Sequence, residues 1–576
     1  MSKTQNRGML RRTLKIYTEV RIPWHLYIIQ TLVGVLSAKV ALMYIPYESE
    51  MKLGNLESMS VAWGYVGCML LVLLTQVGAH IPEFYAKAMI ARGLRDRLID
   101  HSLRLPMRTF EENSSRMVGW ITQNGSSADG LIGTVVSFIT GFASVLMTID
   151  RLTLIDQAMV ALVPSILAYV LFSTWLEGKL LFLRQQAGKR ANAELTAFLA
   201  EHLSFFLQIR QLHSRAEEQV RGRAAIDSYY KLDIHQAVLT LVNNIVSGSL
   251  TSIINILVFA LGVPMVRSGK IAMPDLVSFQ SYILLAYNSL SCLPSLYTSV
   301  MYYNGELYYA ANLLAQKEEQ TKRTHGMDRP DEDISFEQVS FAYDEAAPVL
   351  KNVSFTIPKG QVTAIAGPNG SGKTTLFRLI QRFYTPDSGT VRFGTLDAET
   401  IHLDEWRQSI AYVLQEPQLF NGSVRDNITY GLDRPATDEE VRNAAILASA
   451  DEFISGLPEG YDFNIGDNGS RLSAGQRQRL AIARAVMLDP AYLLLDEATC
   501  NMDVLSESSV TAALLRLMKD RTTVLITHDM KMLEHCDNVI VLKDGTLEAA
   551  GPRETVERQS PTLRRLMEAE RKEQTA

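Results

Sequence analysis

The sequence is poor in cysteine and lacks the paired spacings that cysteine-based structure requires. Its 576 residues include four cysteines, and none of them forms a CxxC pair or a metal-finger spacing with another. A disulfide framework and a structural zinc site are therefore not expected, and the usage fits a reducing compartment. The cysteines lie at Cys68, Cys292, Cys500 and Cys536.

Positive charge is not in excess either. Lys and Arg total 56 against 62 Asp and Glu, which gives a net charge of −6. Proteins that bind nucleic acid use a surplus of basic residues to neutralise phosphates, so no nucleic-acid partner is expected. The N-terminus through Arg21 also lacks a short apolar core followed by a small-residue cleavage site, and we expect no removable signal peptide.

The chain is too long for one domain, since domains usually contain ~100 to 200 residues. Its first part contains long uncharged stretches, whereas the later part alternates short apolar runs with helical stretches. We expect an all-α membrane domain over residues 1–315. Since 334–570 also contains the phosphate-binding pattern GxxxxGK[ST] at residues 367–374, we expect an α/β P-loop nucleotide-binding domain there. The charged segment 316–333, with Gly326 and Pro330, is predicted to be a linker.

About six apolar segments of the first part are long enough to cross a bilayer, whose ~30 Å core requires ~20 helical residues. Buried helices of a large soluble protein are the alternative, but so many consecutive apolar segments favour membrane insertion. The segments are Trp24–Tyr47, Met59–Ile81, Leu131–Ile149, Thr153–Trp175, Val238–Val266 and Met273–Met301.

Basic residues are distributed unevenly among the connections between these segments. Cytoplasmic loops retain Lys and Arg, and these residues are concentrated in the N-terminal tail and in the second and fourth connections. The first connection, residues 48–57, is acidic, and the third is short. We therefore expect a multi-pass protein of the cell inner (plasma) membrane, with its N-terminus and its nucleotide-binding domain in the cytoplasm.

The two basic connections are about 50 residues each and are rich in helix-forming residues, so long helices should project beyond the membrane. Their tips lie at Glu111–Trp120 and Glu201–His213. These tips either dock on the soluble part or pack against each other. Lys39 and Asp156 are charged residues within apolar segments, but neither identifies a ligand for a cargo.

A phosphate-binding motif lies in the second part. The apolar run Gln361–Ala366 predicts a buried strand, and a helix is predicted from Thr375, with GxxxxGK[ST] between them. Backbone N–H groups of such a loop enclose phosphate oxygens, and the helix N-terminus adds a favourable dipole. We predict that Lys373 contacts the β- and γ-phosphates and that Thr374 ligates Mg²⁺. The candidate nucleotide-binding residues are Gly367, Asn369, Gly370, Ser371, Gly372, Lys373, Thr374 and Thr375.

Two adjacent carboxylates follow an apolar strand predicted at Tyr492–Leu495. Asp496 at the end of that strand suits Mg²⁺, and Glu497 suits polarisation of an attacking water. A surface turn with two chance carboxylates is the alternative, but such a turn rarely follows so apolar a strand. We predict a catalytic role for Glu497.

A further segment, Leu472-Ser473-Ala474-Gly475-Gln476, precedes a helical stretch. With this segment the sequence resembles the ATP-binding cassette (ABC) transporters, whose signature is LSGGQ, and the resemblance covers essentially the whole chain. Six membrane segments before one cassette resemble a half-transporter of the exporter-type fold, similar to bacterial multidrug and lipid exporters. The resemblance implies ATP and Mg²⁺ as cofactors and ATP hydrolysis coupled to transport.

The resemblance also implies roles for residues outside the phosphate motif. Tyr343 resembles the aromatic residue that stacks on adenine, and Gln415 the loop glutamine that senses Mg²⁺ and contacts the membrane domain. His528 resembles the histidine that contacts the γ-phosphate, and Asp503 the inter-domain aspartate. We expect Glu497, His528 and Gln415 as catalytic residues and Thr374, Gln415 and Asp496 around the metal.

A second chain is implied by the same resemblance. Ser473, Gly475 and Gln476 would cap the γ-phosphate of ATP held by the opposing subunit, since a serine and a glycine at a helix N-terminus form an anion site. The partner would be a second copy, or a paralogous half-transporter in a heterodimer. Membrane lipid and a small-molecule substrate complete the expected partners.

The sequence departs from the family pattern at several positions. Ala474 replaces the middle glycine of the signature and is tolerated if its backbone φ is negative. Asp467 stands where many exporters have Glu, and Asp529 where multidrug-type members commonly have Arg. Residues 500–503 also differ from the common SALD. None of these departures removes a catalytic group.

The expected function is ATP-driven transport of a solute by a dimer, with export of an amphipathic or lipid-like compound as the leading interpretation. The alternative is import of a metal-siderophore-type substrate on the same fold. A soluble cassette ATPase that works mechanically is disfavoured by the membrane segments.

Overall fold

A computed structural model of the chain describes residues 12–53, 59–124, 128–155, 205–290, 292–319, 332–344, 347–498, 504–527 and 529–575, with single positions or pairs between 160 and 202. The chain forms two compact units. The first unit comprises Met1–Arg104 and Asn113–Lys317, and the second comprises Leu105–Glu112 and Glu318–Ala576. The short segment 105–112 therefore clusters with the second unit, although it lies far from it in sequence.

The regular elements among the described residues of the first unit are all helices. A short helical stretch over 12–19 precedes the longer helices. These are α1 (Trp24–Lys52), α2 (Met59–Leu103), α3 (Met107–Asn124), α4 (Ala128–Ile155), α5 (Phe206–Gln211), α6 (Arg215–Arg267), α7 (Met273–Leu290) and α8 (Cys292–Leu314).

Three of the described helices, α1, α2 and α4, are long and apolar enough to cross a membrane. A shorter apolar stretch, Thr251–Arg267, forms the end of α6. The predicted fourth segment lies mostly outside the described residues, so the count of six stays a prediction. Helix α2 has 45 residues, about 68 Å at 1.5 Å per residue, which is over twice the ~30 Å bilayer core.

The apolar surface of α2 is largely solvent-exposed in the isolated chain. Trp63, Leu70 and Leu74 are each more than half exposed. Large apolar side chains exposed along a whole helix are expected where lipid, not water, is the surrounding solvent. This exposure agrees with membrane insertion of the first unit.

The core of the first unit is centred on α7. Phe279 and Ile283 are fully buried and pack in one cluster with Ile45 of α1 and Leu152 of α4. A hydrogen bond between small polar residues also links two of these helices, since the Ser278 hydroxyl of α7 donates to the Ser49 hydroxyl of α1 at 2.9 Å. Together these contacts pack α1, α4 and α7 against one another.

The second unit contains ten strands within its described residues. They are β1 (Ile334–Ala342), β2 (Pro348–Ile357), β3 (Val362–Ala366), β4 (Ser388–Phe393), β5 (Leu396–Asp397), β6 (Ile410–Val413), β7 (Tyr492–Asp496), β8 (Thr522–Ile526), β9 (Asn538–Lys543) and β10 (Thr546–Pro552). Its described helices are α9 (Lys373–Ile380), α10 (Leu403–Gln408), α11 (Val424–Thr429), α12 (Asp438–Leu447), α13 (Asp451–Ser455), α14 (Ala474–Leu488), α15 (Val504–Met518), α16 (Met530–Glu534), α17 (Arg553–Gln559) and α18 (Pro561–Thr575).

These strands form two sheets. One has the order β2-β1-β4-β5 with antiparallel neighbours, and the other has the order β10-β9-β3-β8-β7-β6. In the larger sheet β9, β3, β8, β7 and β6 run parallel, and β10 is antiparallel to β9. The inner strands are buried on both faces, which explains their continuous apolar runs such as Leu493–Leu495. The predicted α/β class of this part is confirmed.

Three helices of the second unit begin with a capping box, in which the first side chain and the third helical side chain bond each other's backbone N–H groups. The pairs are Ser423 with Asp426, Thr437 with Glu440, and Ser473 with Gln476. The pattern of Ser or Thr followed three residues later by an acid or amide therefore sets where α11, α12 and α14 start.

Candidate nucleotide-binding site

Four strand ends of the larger sheet lie at one edge. In the parallel register Ile365 of β3 pairs with Ile526 of β8, and Asp496 of β7 pairs with the same residue. Val413 of β6 pairs with Leu495. The segments that follow these strands carry the predicted site residues, so the topology brings together groups that are far apart in sequence.

The phosphate loop, residues 367–374, follows β3 and turns into α9. Gly367 has φ 150° and Gly372 has φ 102°, conformations that L-residues with a side chain rarely adopt. A Cβ on Gly367 would lie 2.3 Å from the Leu542 carbonyl oxygen, and one on Gly372 would lie 2.7 Å from Leu350 Cδ2. Both positions therefore require glycine. Helix α9 begins at Lys373, two residues before the predicted start.

Polar groups of this loop are arranged for an anion. The Ser371 side chain is 3% exposed, and its hydroxyl oxygen has no hydrogen-bond partner, although buried hydroxyls normally have one. Lys373 is buried, and its Nζ donates to the carbonyl oxygens of Gly367 at 2.7 Å and Pro368 at 3.1 Å. The lysine thus lies folded over the loop. Asn369, Gly370 and Thr374 are exposed beside it, and these residues fit a phosphate group.

The two predicted carboxylates lie at the end of β7. Tyr412 of β6 donates its hydroxyl to Asp496 Oδ2 at 2.8 Å. Burial raises the pKa of Asp496, whereas the Tyr412 hydrogen bond lowers it. Glu497 is half-buried with φ 45°, and its N–H donates to the Ile526 carbonyl oxygen at 2.9 Å.

Charges of the phosphate loop and the strand end influence one another. Burial lowers the pKa of Lys373, and the negative charges of Glu497 and Asp496 oppose that shift. The positive charge of Lys373 lowers the pKa of Asp496 in turn. The lysine and both carboxylates therefore share one electrostatic environment, although more than a hundred residues separate them in sequence.

Among the described residues no group of three or more His, Cys, Asp or Glu side chains is placed to hold a metal. A site with one carboxylate and a hydroxyl suits Mg²⁺, which keeps several waters and binds substrate phosphates. Asp496 and the Thr374 hydroxyl are donors of that kind. The residues present therefore fit Mg²⁺ held together with a nucleotide.

Tyr343 lies in an aromatic cluster beside α9. Its ring makes edge contacts with Phe341 at 5.0 Å and Tyr384 at 5.2 Å between centroids. Its hydroxyl bonds the Thr375 hydroxyl at 3.2 Å and accepts from Arg378 at 3.2 Å. The phosphate-loop helix thereby orients the ring predicted to stack on adenine.

The same cluster includes an acidic residue of the segment 105–112. Glu111 accepts a hydrogen bond from the Tyr384 hydroxyl at 2.6 Å and forms an ion pair with Arg378 at 3.5 Å. The predicted tip at Glu111–Trp120 thus makes these two contacts within the second unit through Glu111. Its other end packs in the first unit, where Trp120 stacks on Tyr309 at 5.4 Å.

Gln415 is exposed in the turn after β6. The preceding residue, Leu414, accepts a hydrogen bond at its carbonyl oxygen from the side chain of Gln478 in α14, at 3.2 Å. Sequence reasoning identified Gln415 but missed Gln478 and Tyr412. Neither residue has a local signal in the sequence, because their partners, Asp496 and Leu414, lie far away in the chain.

The signature segment, Leu472–Gln476, caps helix α14. The Gln476 N–H donates to the Ser473 hydroxyl at 3.2 Å, and the Ser473 N–H donates to Gln476 Oε1 at 2.9 Å. Ala474 occupies the first helical position and is not among the residues of positive φ, so the condition for its tolerance is met. Asp467 accepts a hydrogen bond from Asn421 at 2.6 Å.

Several predicted residues lie outside the described part of the chain. These are His528, Asp503, Cys500 and Asp156. Thr527, which directly precedes His528, is buried at the end of β8, so the chain reaches the edge of the sheet at this point.

Both parts of the chain match known families. Residues 350–500 match the family described as ABC transporter, and residues 27–290 match the ABC transporter transmembrane region. Over 494 residues the chain is 32% identical to the ATP-dependent lipid A-core flippase of Chromohalobacter salexigens, covering 82% of this chain and 83% of the flippase.

Two further relatives extend this similarity. The chain is 28% identical over 476 residues to a multidrug resistance ABC transporter ATP-binding and permease protein of Lactococcus lactis subsp. lactis, covering 80% of this chain and 79% of that protein. The structure of a bacterial Atm1-family ABC exporter with ATP bound superposes with a TM-score of 0.80 at 23% identity, covering 94% and 98% of the two chains. The chain therefore belongs to the ABC transporters, as a half-transporter of the exporter-type fold that couples ATP hydrolysis to transport across a membrane.

Proposed function

We propose that this half-transporter pairs with a second one and exports an amphipathic or lipid-like compound. The observation that carries the proposal is similarity along both units, over most of each chain, to a protein named as a lipid A-core flippase. The similarity to a multidrug transporter supports the same substrate class. Lipid-like cargo also suits the exposed apolar surface of α2, since apolar compounds are favoured on apolar surface over water.

We infer that the edge of the larger sheet binds the triphosphate of ATP. The loop N–H groups and the Ser371 hydroxyl would hold phosphate oxygens, and Lys373 would exchange its loop carbonyl partners for the β- and γ-phosphates. Tyr343 would stack on the adenine. The remaining proposed loop contacts are Gly367, Asn369, Gly370, Gly372, Thr374 and Thr375.

Hydrolysis is proposed to proceed by attack of water on the γ-phosphate. Glu497 would accept a proton from that water, and His528 would contact the γ-phosphate. Thr374, Asp496 and Gln415 would hold Mg²⁺, which neutralises phosphate charge when bound. This proposed scheme is supported by the mutual electrostatic influence of Lys373, Asp496 and Glu497.

The active assembly is proposed to be a dimer, either of two copies or with a sister chain. Ser473, Gly475 and Gln476 of one chain would cap the γ-phosphate bound to the other, with Asp503 at the same boundary. The first turn of α14 supplies N–H groups for this purpose. The protein is proposed to lie in the inner membrane with its ATP-binding unit in the cytoplasm.

Transport direction can be tested in inside-out membrane vesicles supplied with fluorescent lipid analogues and amphipathic dyes. ATP-dependent uptake into these vesicles is expected, because uptake there corresponds to export from cells. A chain carrying Glu497→Gln is the control and should not transport. Accumulation that occurs only in right-side-out preparations would refute export and favour uptake of a chelated metal.

A further inference from the structure

The turn that carries Gln415 is held at both ends. We call residues 414–420 the glutamine loop. It begins directly after β6, and the side chain of Gln415 is exposed within it. An exposed side chain on a turn keeps a defined position only if the backbone beneath it is fixed.

The first anchor is Gln478 of α14. This side chain is fully buried at 0% exposure, and its Nε2 donates to the carbonyl oxygen of Leu414, the residue before Gln415. Its second amide atom, Oε1, is buried without a partner. A buried amide is costly unless it is hydrogen-bonded, so the single hydrogen bond of Gln478 points to a positioning function.

The second anchor, Arg484, lies six residues further along the same helix. Arg484 donates from Nη1 to the Gln418 carbonyl oxygen at 3.1 Å and from Nε to the Asn427 carbonyl oxygen at 2.8 Å. Asn427 in turn donates to the Phe420 carbonyl oxygen at 2.9 Å. The far end of the glutamine loop is therefore also attached to α14.

Helix α14 begins with the signature segment. Its cap residue Ser473 lies five positions before Gln478, so the signature and the first anchor occupy the same end of one rigid element. A displacement of the glutamine loop must therefore move, or be resisted by, the helix that presents Ser473.

We propose that Gln478 is a positioning residue for ATP hydrolysis, which fixes Gln415 at the nucleotide edge and joins the glutamine loop to the signature helix. The inference rests on the proposed function of the site, in which Gln415 contacts Mg²⁺. Gln478 touches neither nucleotide nor metal in this scheme and acts through the Leu414 carbonyl group.

The first test replaces Gln478 by Leu in the full-length protein. Loss of the donor should free the glutamine loop, lower kcat about tenfold and raise the Mg²⁺ concentration for half-maximal ATP hydrolysis about fivefold. Binding of a fluorescent ATP analogue without Mg²⁺ should change less than about twofold. An unchanged Mg²⁺ requirement would overturn the proposal.

The second test is a double-mutant cycle with Gln415→Ala. If Gln478 acts through Gln415, then Gln478→Leu should have almost no further effect on kcat in a Gln415→Ala chain. Additive effects of the two substitutions would mean that Gln478 acts elsewhere, and would refute the inference.

Arg479→Gln is the matched control. Arg479 lies on the same helix but donates to the Ser449 carbonyl oxygen at 3.0 Å and to the Gly475 carbonyl oxygen of α14 at 3.3 Å. Its substitution should leave the Mg²⁺ requirement unchanged. A rise equal to that of Gln478→Leu would show a general effect of α14 and refute the proposal.

Folding is checked with Gln478→Met as a second variant and by thermal unfolding of each protein. Loss of the folded state in both Gln478 variants would assign this residue a structural role and overturn the inference. Absence of Mg²⁺-dependent ATP hydrolysis in the unmodified protein would instead refute the proposed function itself.

Discussion

The carboxyl group of Asp496 is subject to opposing influences. Burial raises its pKa, and the hydroxyl of Tyr412 and the charge of Lys373 lower it. The net direction is upward, so protons compete for this carboxylate at a higher pH than for an ordinary aspartate, whose pKa is ~3.9. Since a metal must displace that proton, we expect the Mg²⁺ requirement for hydrolysis to rise as pH falls.

Substitution of Tyr412 by Phe tests this assignment. The variant loses the hydrogen bond that lowers the pKa of Asp496, so that pKa should rise further. In a plot of the rate of ATP hydrolysis against pH at limiting Mg²⁺, the acid limb, where the rate falls as pH falls, should therefore move to higher pH. Saturating Mg²⁺ should reduce the shift. Tyr461→Phe, which removes a hydroxyl bonded to Asp451 at 2.6 Å, is the control. An acid limb that stays in place or moves to lower pH would contradict the assignment.

The proposed base is tested by Glu497→Gln. The amide keeps the size of the side chain but cannot accept the proton of water, so turnover should fall by about 10²- to 10⁴-fold. ATP binding, measured by equilibrium titration, should remain nearly unchanged. Glu534→Gln makes the same charge change at an exposed position of α16 and should be neutral. Full turnover in the Glu497 variant would remove this residue from the mechanism.

Individual site residues could be predicted wherever a local pattern carries the chemistry. The glycines of the phosphate loop and the carboxylates after β7 belong to this class, because their function depends on neighbours in sequence. Tyr412 and Gln478 could not be assigned in this way. Their partners, Asp496 and Leu414, are 84 and 64 positions away, and only the folded sheet brings them together.

Among the helices, the capping boxes of α14 and α12 provide a matched pair. Ser473→Ala and Thr437→Ala should each remove about 1 kcal/mol of helix stability, since each deletes an N-cap hydroxyl. Only Ser473→Ala should also lower ATP hydrolysis, because its hydroxyl is proposed to contact the γ-phosphate of the opposing chain. Chemical unfolding and ATP turnover of both variants provide the comparison. Equal losses of turnover would show that capping alone explains the effect.

Helices and strands with a strong periodic or apolar pattern were predictable, but the residues at which they begin and end were less so. The strand at Tyr492–Asp496 and the helix after the phosphate loop follow from apolar runs and glycine spacing. The predicted segment Met59–Ile81 begins where α2 begins, but the helix continues to Leu103. The apolar composition marks the residues suited to lipid, and it therefore does not reveal where the helix ends beyond them.

At the scale of the assembly, mixed chains test whether each ATP lies between two subunits. Lys373→Ala and Ser473→Arg should each inactivate a homodimer. In a mixed dimer both defects fall on one site and the other site is intact, so purified mixed dimers should regain about half of wild-type activity. ATP turnover after co-expression and sequential affinity purification measures this recovery. Two inactive chains that stay inactive together would refute the shared site.

The division of the chain into two parts could be predicted from composition, because helices in lipid require apolar residues whereas a domain in water exposes charged ones. Composition did not predict that residues 105–112 belong to the second unit. Glu111 contacts Tyr384 across 273 positions, and no local pattern indicates a partner at such a distance. The charges of Glu111 and Arg378 come together only when both segments are folded.

This eight-residue segment affects how the ATP-binding unit should be produced in isolation. A fragment cut at Glu318 leaves out Glu111, so the guanidinium of Arg378 and the hydroxyl of Tyr384 lose an acidic partner beside the Tyr343 ring that is proposed to stack on adenine. We expect such a fragment to bind nucleotide more weakly than the intact chain. Supplying residues 105–112 as a synthetic peptide should restore part of the lost affinity.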